Sequence, residues 1–146
     1  MVRNTIFSRT SALIVILGMA ACANIDTVQN APLDAGEARS FDAPFERVKI
    51  AALNGIRDLK IEPSSTVDAP EGFVIYIARA PHGMSYGEVG RVVVEQSAHP
   101  PTTVHAHYQK RFALQFQGSE SRFARALFTK IDAALAVKTA ESNPER

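Results

Sequence analysis

Residues 102–116 alternate between apolar side chains at even positions and mostly polar side chains at odd positions, His105 and His107 among them. This pattern predicts a β-strand with one buried face and one solvated face. A fully extended strand of that length would span about 50 Å, whereas a domain of this size has a radius of gyration of about 13–14 Å. The strand is therefore expected to bend or divide, and Lys110, the one charge on the apolar side, is the expected place.

Two further strands are predicted by runs of β-branched and aromatic residues, over residues 73–78 (FVIYIA) and 91–98 (RVVVEQSA). The glycine-rich segment 83–90 between them is expected to form a mobile hairpin loop. It is not followed by Gly-Lys-Ser/Thr, so it does not match a phosphate-binding loop. Residues 38–41 are expected to form a short strand, and Pro63 to Ser65 a loop.

Two amphipathic helices flank the strands. The first is predicted over residues 44–60, with Pro44 in the first turn and Asp42 as its cap. The second is predicted over residues 121–138, where apolar residues again recur every three or four positions. A helix, several antiparallel strands and a second helix together predict an α+β two-layer sandwich. Its antiparallel sheet would have about four to five strands and carry both helices on one face.

The beginning of the chain has the composition of a signal peptide, which we assign to residues 1–21. Arg3 and Arg9 precede a short apolar run, and the small residues Ala20 and Ala21 follow it. The apolar run is about 8 residues long, against about 20 needed to cross a bilayer as a helix.

Removal of residues 1–21 would leave a formal charge of −1, compared with +1 for the whole chain. Neither value fits a strongly basic nucleic-acid-binding protein.

The stretch Met19-Ala20-Ala21-Cys22 resembles the lipobox of bacterial lipoproteins, and Cys22 is the only cysteine in the chain. The resemblance implies cleavage before Cys22 and attachment of palmitate-type acyl chains, and two or more chains anchor a protein stably. Ala23 favours the outer membrane, because Asp at that position resembles an inner-membrane retention signal. The alternative is cleavage after Ala23, which would release a soluble exported protein.

The mature chain is divided into a lipidated polar tether at residues 22–37, an α+β domain at residues 38–138 and a polar tail at residues 139–146. The tether is expected to be flexible, because it is rich in small and polar residues. With no second cysteine, the domain would fold in an oxidising compartment without an internal disulfide.

The order of these segments resembles a group of small uncharacterised bacterial envelope lipoproteins. The resemblance is carried by the lipobox, the helix FERVKIAALNGIRDLKIE, the strands GFVIYIARA and TTVHAHYQ and the closing helix SRFARALFTKIDAAL. It also extends, more distantly, to the helix-grip domains found in a lipoprotein component of the β-barrel assembly machinery. The resemblance implies an α+β grip fold and a non-enzymatic envelope role, and it transfers no functional residue except Cys22.

His105 and His107 are the only residues whose spacing suggests a metal site, since their side chains would lie about 6–7 Å apart on one face. His99 or Glu95 could add a ligand from the neighbouring strand. The simpler interpretation is a polar sheet face, and we predict no metal, cofactor or catalytic residue. The sequence contains no G-x-S-x-G nucleophile motif.

The sheet face away from the helices is the candidate partner surface. If Phe73, Ile75, Ile77, Val92 and Val94 point to the helices, an apolar and aromatic patch faces outward, which often marks a partner site. Its members are Val74, Tyr76, Val93, His105 and His107. We therefore expect a membrane-anchored periplasmic lipoprotein that acts as a non-enzymatic interaction or structural module with an envelope protein partner. The alternative is a soluble periplasmic domain that binds a small ligand or a metal ion.

Overall fold

The structure is a computed structural model that describes residues 24–81, 87–111 and 119–141. The described residues contain three helices, five strands and one 3₁₀ turn, Leu33–Ala35. In chain order the helices and strands are α1 (Ile25–Gln29), β1 (Glu37–Phe41), α2 (Phe45–Asp58), β2 (Pro63–Ala69), β3 (Gly72–Arg79), β4 (Glu88–Glu95), β5 (Thr102–Lys110) and α3 (Ser119–Glu141).

The five strands form one antiparallel sheet in the order β1-β5-β4-β3-β2. Strands β2 to β5 follow one another as a meander, and β1 pairs with β5 at the far edge. The first and second strands of the chain therefore lie at opposite edges of the sheet. Helix α2 connects them, so it must cross the whole sheet between β1 and β2.

The core lies between one face of this sheet, called the inner face, and helices α2 and α3. Alternate residues of β3, β4 and β5 point into it, because side chains of a strand alternate between the two faces. Its largest fully buried side chains from these elements are Ile56, Ile75, Ile77, Leu127 and Ile131. The predicted α+β sandwich, with two helices on one face of an antiparallel sheet, is confirmed.

Helices α2 and α3 approach each other closely at Gly55. A Cβ atom at this position would lie 3.1 Å from Cδ1 of Leu127, so glycine permits the close contact. Near the other end of α2, the Arg47 guanidinium donates a hydrogen bond to the main-chain oxygen of Leu135 at 3.1 Å. The two helices thus cover the inner face as an antiparallel pair.

Two element predictions differ from the structure, and a third agrees with it. Residues 63–65, expected to be a loop, begin the edge strand β2. Strand β5 ends at Lys110, the position where a bend or break was predicted; residues 112–116 lie outside the described residues. Helix α2 is capped by Pro44 without a side-chain hydrogen bond, so Asp42 is not its cap. Residues 82–86, in the predicted hairpin loop, also lie outside the described residues.

The largest difference concerns the segment expected to be a flexible tether. From Asn24 onward this segment contains α1 and the 3₁₀ turn, and strand β1 begins at Glu37. The physical reason is the side chain of Val28, which is fully buried. It gives this mostly polar segment an apolar side chain that packs against the sheet. The predicted signal peptide, residues 1–21, and Cys22 lie outside the described residues. Helix α3 extends to Glu141, into the predicted tail.

Candidate interaction surface

The predicted partner residues all project from the face of the sheet opposite α2 and α3, called the outer face. The strand register places Val74 opposite Val93, and Val93 opposite His105. In the neighbouring row, Tyr76 lies opposite Arg91, and Arg91 opposite His107. The fold therefore brings the five predicted side chains together in two adjacent rows across three strands.

The centre of this surface is covered by the chain's own N-terminal segment, residues 24–36, which we call the N-terminal strap. Helix α1 of the strap contacts β3 and β4. Val74 and Val93 are 0% and 1% exposed, and His107 is also buried. The expectation of an exposed patch is therefore wrong for these three residues, because the N-terminal strap covers their face of the sheet.

Arg91 binds the main chain of the strap. One guanidinium nitrogen, Nη1, donates a hydrogen bond to the oxygen of Gln29 at 3.0 Å. The other, Nη2, donates to the oxygens of Ala31 at 2.7 Å and Pro32 at 3.0 Å. Arginine suits this role because its planar guanidinium presents several donors in a fixed geometry. The contact also places a cation next to the carbonyl end of α1, where positive charge is favoured.

Gly36 allows the strap to pass from the outer face into β1. A Cβ atom at this position would lie 2.1 Å from the main-chain oxygen of Ala106 and 2.8 Å from the Cα of His107. No side chain can be accommodated at such distances without moving the backbone. Gly36 therefore fixes the place where the strap passes close over β5.

Two of the predicted partner residues remain partly accessible. Tyr76 and His105 are half-buried, and Nε2 of His105 lies 3.4 Å from a carboxylate oxygen of Glu95. Val67 of β2, which sequence reasoning missed, lies opposite Val74 and is 47% exposed. The accessible apolar surface on this face thus lies towards the β2 edge.

Strand β2 is an edge of the sheet, with β3 as its only neighbour in the described structure. Its five central residues are all exposed. An edge strand presents unpaired main-chain N–H and C=O groups, which can pair with another polypeptide. Two features oppose such pairing: Pro63, which lacks an N–H, and a register irregularity between Pro63 and Ser65.

His105 and His107 lie on the same face, as predicted, but make different contacts. The amide nitrogen of Gln109 donates a hydrogen bond to Nε2 of His107 at 2.7 Å, whereas His105 faces Glu95. Among the described residues, no group of three or more His, Cys, Asp or Glu side chains is arranged to hold a metal ion.

A polar cluster lies at the end of the inner face. The guanidinium of Arg79 is 3.1 Å from a carboxylate oxygen of Glu88, and Tyr108 stacks on Phe123 with ring centroids 4.3 Å apart. Burial raises the pKa of Tyr108 to about 12, although its hydrogen bond with Arg79 acts in the opposite direction. The same hydrogen bond raises the pKa of Arg79. This cluster stabilises a neutral phenol between the sheet and α3.

Comparison of this chain with protein families and with curated proteins gives no match. Within the described residues, none of the helices combines the length and the apolar character needed to cross a membrane.

Sequence reasoning missed three parts of this surface: the strap contact through Val28, the role of Arg91 and the β2 edge. A signal for Arg91 was present, because Arg91 is the one charged residue between Val89 and Val94. A lone cation in a strand of valines indicates a specific acceptor. The acceptor itself could not be identified, because it consists of main-chain carbonyls.

Proposed function

We propose that the protein is a lipid-anchored protein of the bacterial cell envelope, attached through Cys22 and facing the periplasm from the outer membrane. Its α+β domain acts as a non-enzymatic interaction module. The lipobox-like stretch supports the anchor, and the arrangement of the outer face supports the interaction role. The centre of that face already binds a polypeptide segment, namely the N-terminal strap.

The observation that carries the interaction role is the exposed edge strand β2 beside the apolar side chains of the outer face. Val67 is 47% exposed, and Tyr76 is half-buried on the adjoining strand. A partner segment in extended conformation would add a strand to β2 through main-chain hydrogen bonds. An apolar side chain of that segment would contact Val67 and Tyr76.

The anchor is tested by labelling cells with a fatty acid while they express the full chain or the Cys22→Ser variant. We expect label in the full chain and none in Cys22→Ser, with the protein in the membrane fraction only when it is labelled. An unlabelled full chain that is cleaved after Ala23 and free in the periplasm would refute the anchor.

The partner surface is tested by Val67→Lys, because a lysine on an edge strand opposes strand addition. Ile50→Lys on α2 is the matched control, since Ile50 is 51% exposed. A photo-crosslinking residue at Ser65 in each background would report the partner by mass spectrometry. We expect a defined envelope protein to be crosslinked in the parent and in Ile50→Lys, and to be lost in Val67→Lys.

Both lysine variants should keep the parent's stability, because surface substitutions usually change the free energy of unfolding by about 0.5 kcal/mol or less. An identical crosslinked partner in Val67→Lys would show that β2 is not the interaction surface.

A further inference from the structure

The N-terminal strap is held on the outer face from its first described residue. Asn24 and Thr27 form reciprocal hydrogen bonds at the start of α1: the Thr27 N–H donates to Oδ1 of Asn24 at 2.9 Å, and the Asn24 N–H donates to Oγ1 of Thr27 at 3.2 Å. Val28 is fully buried against the sheet, and Arg91 binds the carbonyls that follow. Asn24 can therefore move little relative to the sheet.

The chain between the anchor and the strap is very short. Cys22 and Asn24 are separated by Ala23 alone, so their Cα atoms can be at most about 7 Å apart, even in fully extended backbone. A lipidated Cys22 would be fixed at the bilayer surface by its acyl chains. The domain would then begin within about one residue's length of the lipid headgroups instead of at the end of a tether.

The two sides of the domain differ in their position relative to this attachment point. The strap lies on the outer face, whereas α2 and α3 cover the inner face on the other side of the sheet. Helices are about 10 Å thick, so a further layer separates the exposed side of α3 from the strap. We infer that the outer face with its strap is the membrane-proximal side of the domain and that α2 and α3 face away from the bilayer.

Charge and connectivity favour different orientations, and connectivity is the stronger constraint. Helix α3 exposes Arg122, Arg125 and Lys130, which anionic headgroups would attract, whereas the strap exposes Asp26 and Asp34. That attraction falls off within about a Debye length, roughly 8 Å at physiological salt, while the covalent link holds Asn24 near the bilayer at every salt concentration. The inference rests on the lipid anchor proposed above and specifies the surface that the anchor brings to the bilayer.

The experiment uses the full-length lipidated chain, in which lipidation blocks the thiol of Cys22, so that an introduced cysteine is the only reactive one. Gln29→Cys places a fluorophore on the strap, and Ala133→Cys places the same fluorophore on the exposed side of α3; both positions are exposed. Each labelled protein is reconstituted into phosphatidylethanolamine and phosphatidylglycerol vesicles that carry a headgroup-attached quencher. Circular dichroism confirms that both variants are folded.

We expect quenching of the Gln29→Cys probe to be several-fold stronger than quenching of the Ala133→Cys probe. Insertion of about 20 Gly and Ser residues between Ala23 and Asn24 adds a linker of about 25 Å root-mean-square length, and this should remove most of the difference. Equal quenching at the two positions, or stronger quenching at Ala133→Cys, would overturn the orientation while leaving the anchor intact. Absence of fatty acid on Cys22 would instead refute the anchor itself, and the orientation with it.

Discussion

Arg91 connects two segments of the chain through main-chain hydrogen bonds. The residue is 7% exposed, and a buried cation is tolerated only where hydrogen bonds or an ion partner replace its lost hydration. Three carbonyl oxygens of the strap accept hydrogen bonds from its guanidinium. This one side chain therefore selects the position of a strap that has only a single fully buried apolar residue of its own, Val28.

Arg91→Met should destabilise the domain by about 2–3 kcal/mol, because hydrogen bonds to a charged group contribute more than neutral ones and the freed carbonyls lose their partner. Hydrogen exchange should increase first in residues 24–36. Chemical denaturation gives the free energy of unfolding. Arg57→Met, at an exposed position of α2, is the control and should change stability by about 0.5 kcal/mol or less. A strap that exchanges no faster in Arg91→Met would contradict this role.

Tyr108 gives the domain a dependence on alkaline pH. Its pKa is about 12 in the folded protein, against 10.0 for an unperturbed tyrosine. Between these pH values the unfolded chain has lost a proton that the folded chain retains, so the free energy of unfolding falls as pH rises from about 10 to about 12. Below pH 10 both states keep the proton, and the stabilisation is complete.

Tyr108→Phe should remove this part of the pH dependence while leaving the remaining alkaline titration in place. Denaturation midpoints measured across the alkaline range would show a shallower slope for Tyr108→Phe than for the parent. Ultraviolet titration of tyrosinate should lose a component that ionises near pH 12 in the variant. Parallel pH profiles for the two proteins would contradict the raised pKa.

At the level of elements, the contact between α2 and α3 depends on Gly55. A glycine within a helix costs about 0.5–1 kcal/mol relative to alanine, and the close approach of Leu127 explains why a side chain is disfavoured there. Gly55→Val should destabilise the domain by about 2 kcal/mol, because a branched side chain would push the helices apart. Asn54→Val, at the exposed neighbouring position, should cost much less in the same denaturation measurement. Equal losses would show that helix propensity alone is responsible.

The elements that could be predicted from the sequence are those with a long periodic pattern. Helices α2 and α3 and strands β3, β4 and β5 each bury a regular apolar face, and regular burial leaves a repeat in the sequence. Ile75, Val92 and Val94 lie in the core, which is the orientation that the prediction of the outer surface assumed.

Strand β2 and helix α1 could not be predicted in the same way. The sequence of β2, PSSTVDA, belongs to an edge strand whose side chains are mostly exposed, so burial leaves no alternating pattern. Helix α1 has five residues, of which only Val28 is buried. Both elements are defined by main-chain pairing or by contacts with distant residues, and neither kind of contact is visible in local composition.

This difference also explains why the predicted partner residues share one face of the sheet but are not all exposed. Strand alternation was sufficient to place Val74, Tyr76, Val93, His105 and His107 on one face. Their exposure depended on whether another segment covers that face, which is a property of the tertiary fold. The mostly polar composition of residues 24–36 favoured a free tether, whereas the hydrogen bonds from Arg91 hold the segment in place.

For the whole molecule, the strap converts a two-layer sandwich into a sheet protected on both faces. α2 and α3 cover the inner face, and α1 of the strap contacts β3 and β4 on the outer face, where Val74, Val89 and Val93 are buried. Without the strap these valines would form a contiguous apolar patch, and such patches promote binding and aggregation. The N-terminal strap is therefore expected to contribute to solubility as well as to stability.

A domain that begins at Glu37 should melt more than about 10 °C below one that begins at Asn24. Removal of the strap should lower the free energy of unfolding by about 2–3 kcal/mol, and each kcal/mol lowers the melting temperature of a domain this size by several degrees. It should also bind an apolar fluorescent dye. Val74→Thr with Val93→Thr is the informative control, because it should reduce dye binding in the shortened domain but destabilise the longer one, where both side chains are buried. Equal melting temperatures for the two domains would show that the strap contributes nothing to stability. Unchanged dye binding after the threonine substitutions would show that these valines are not the surface exposed in the shortened domain.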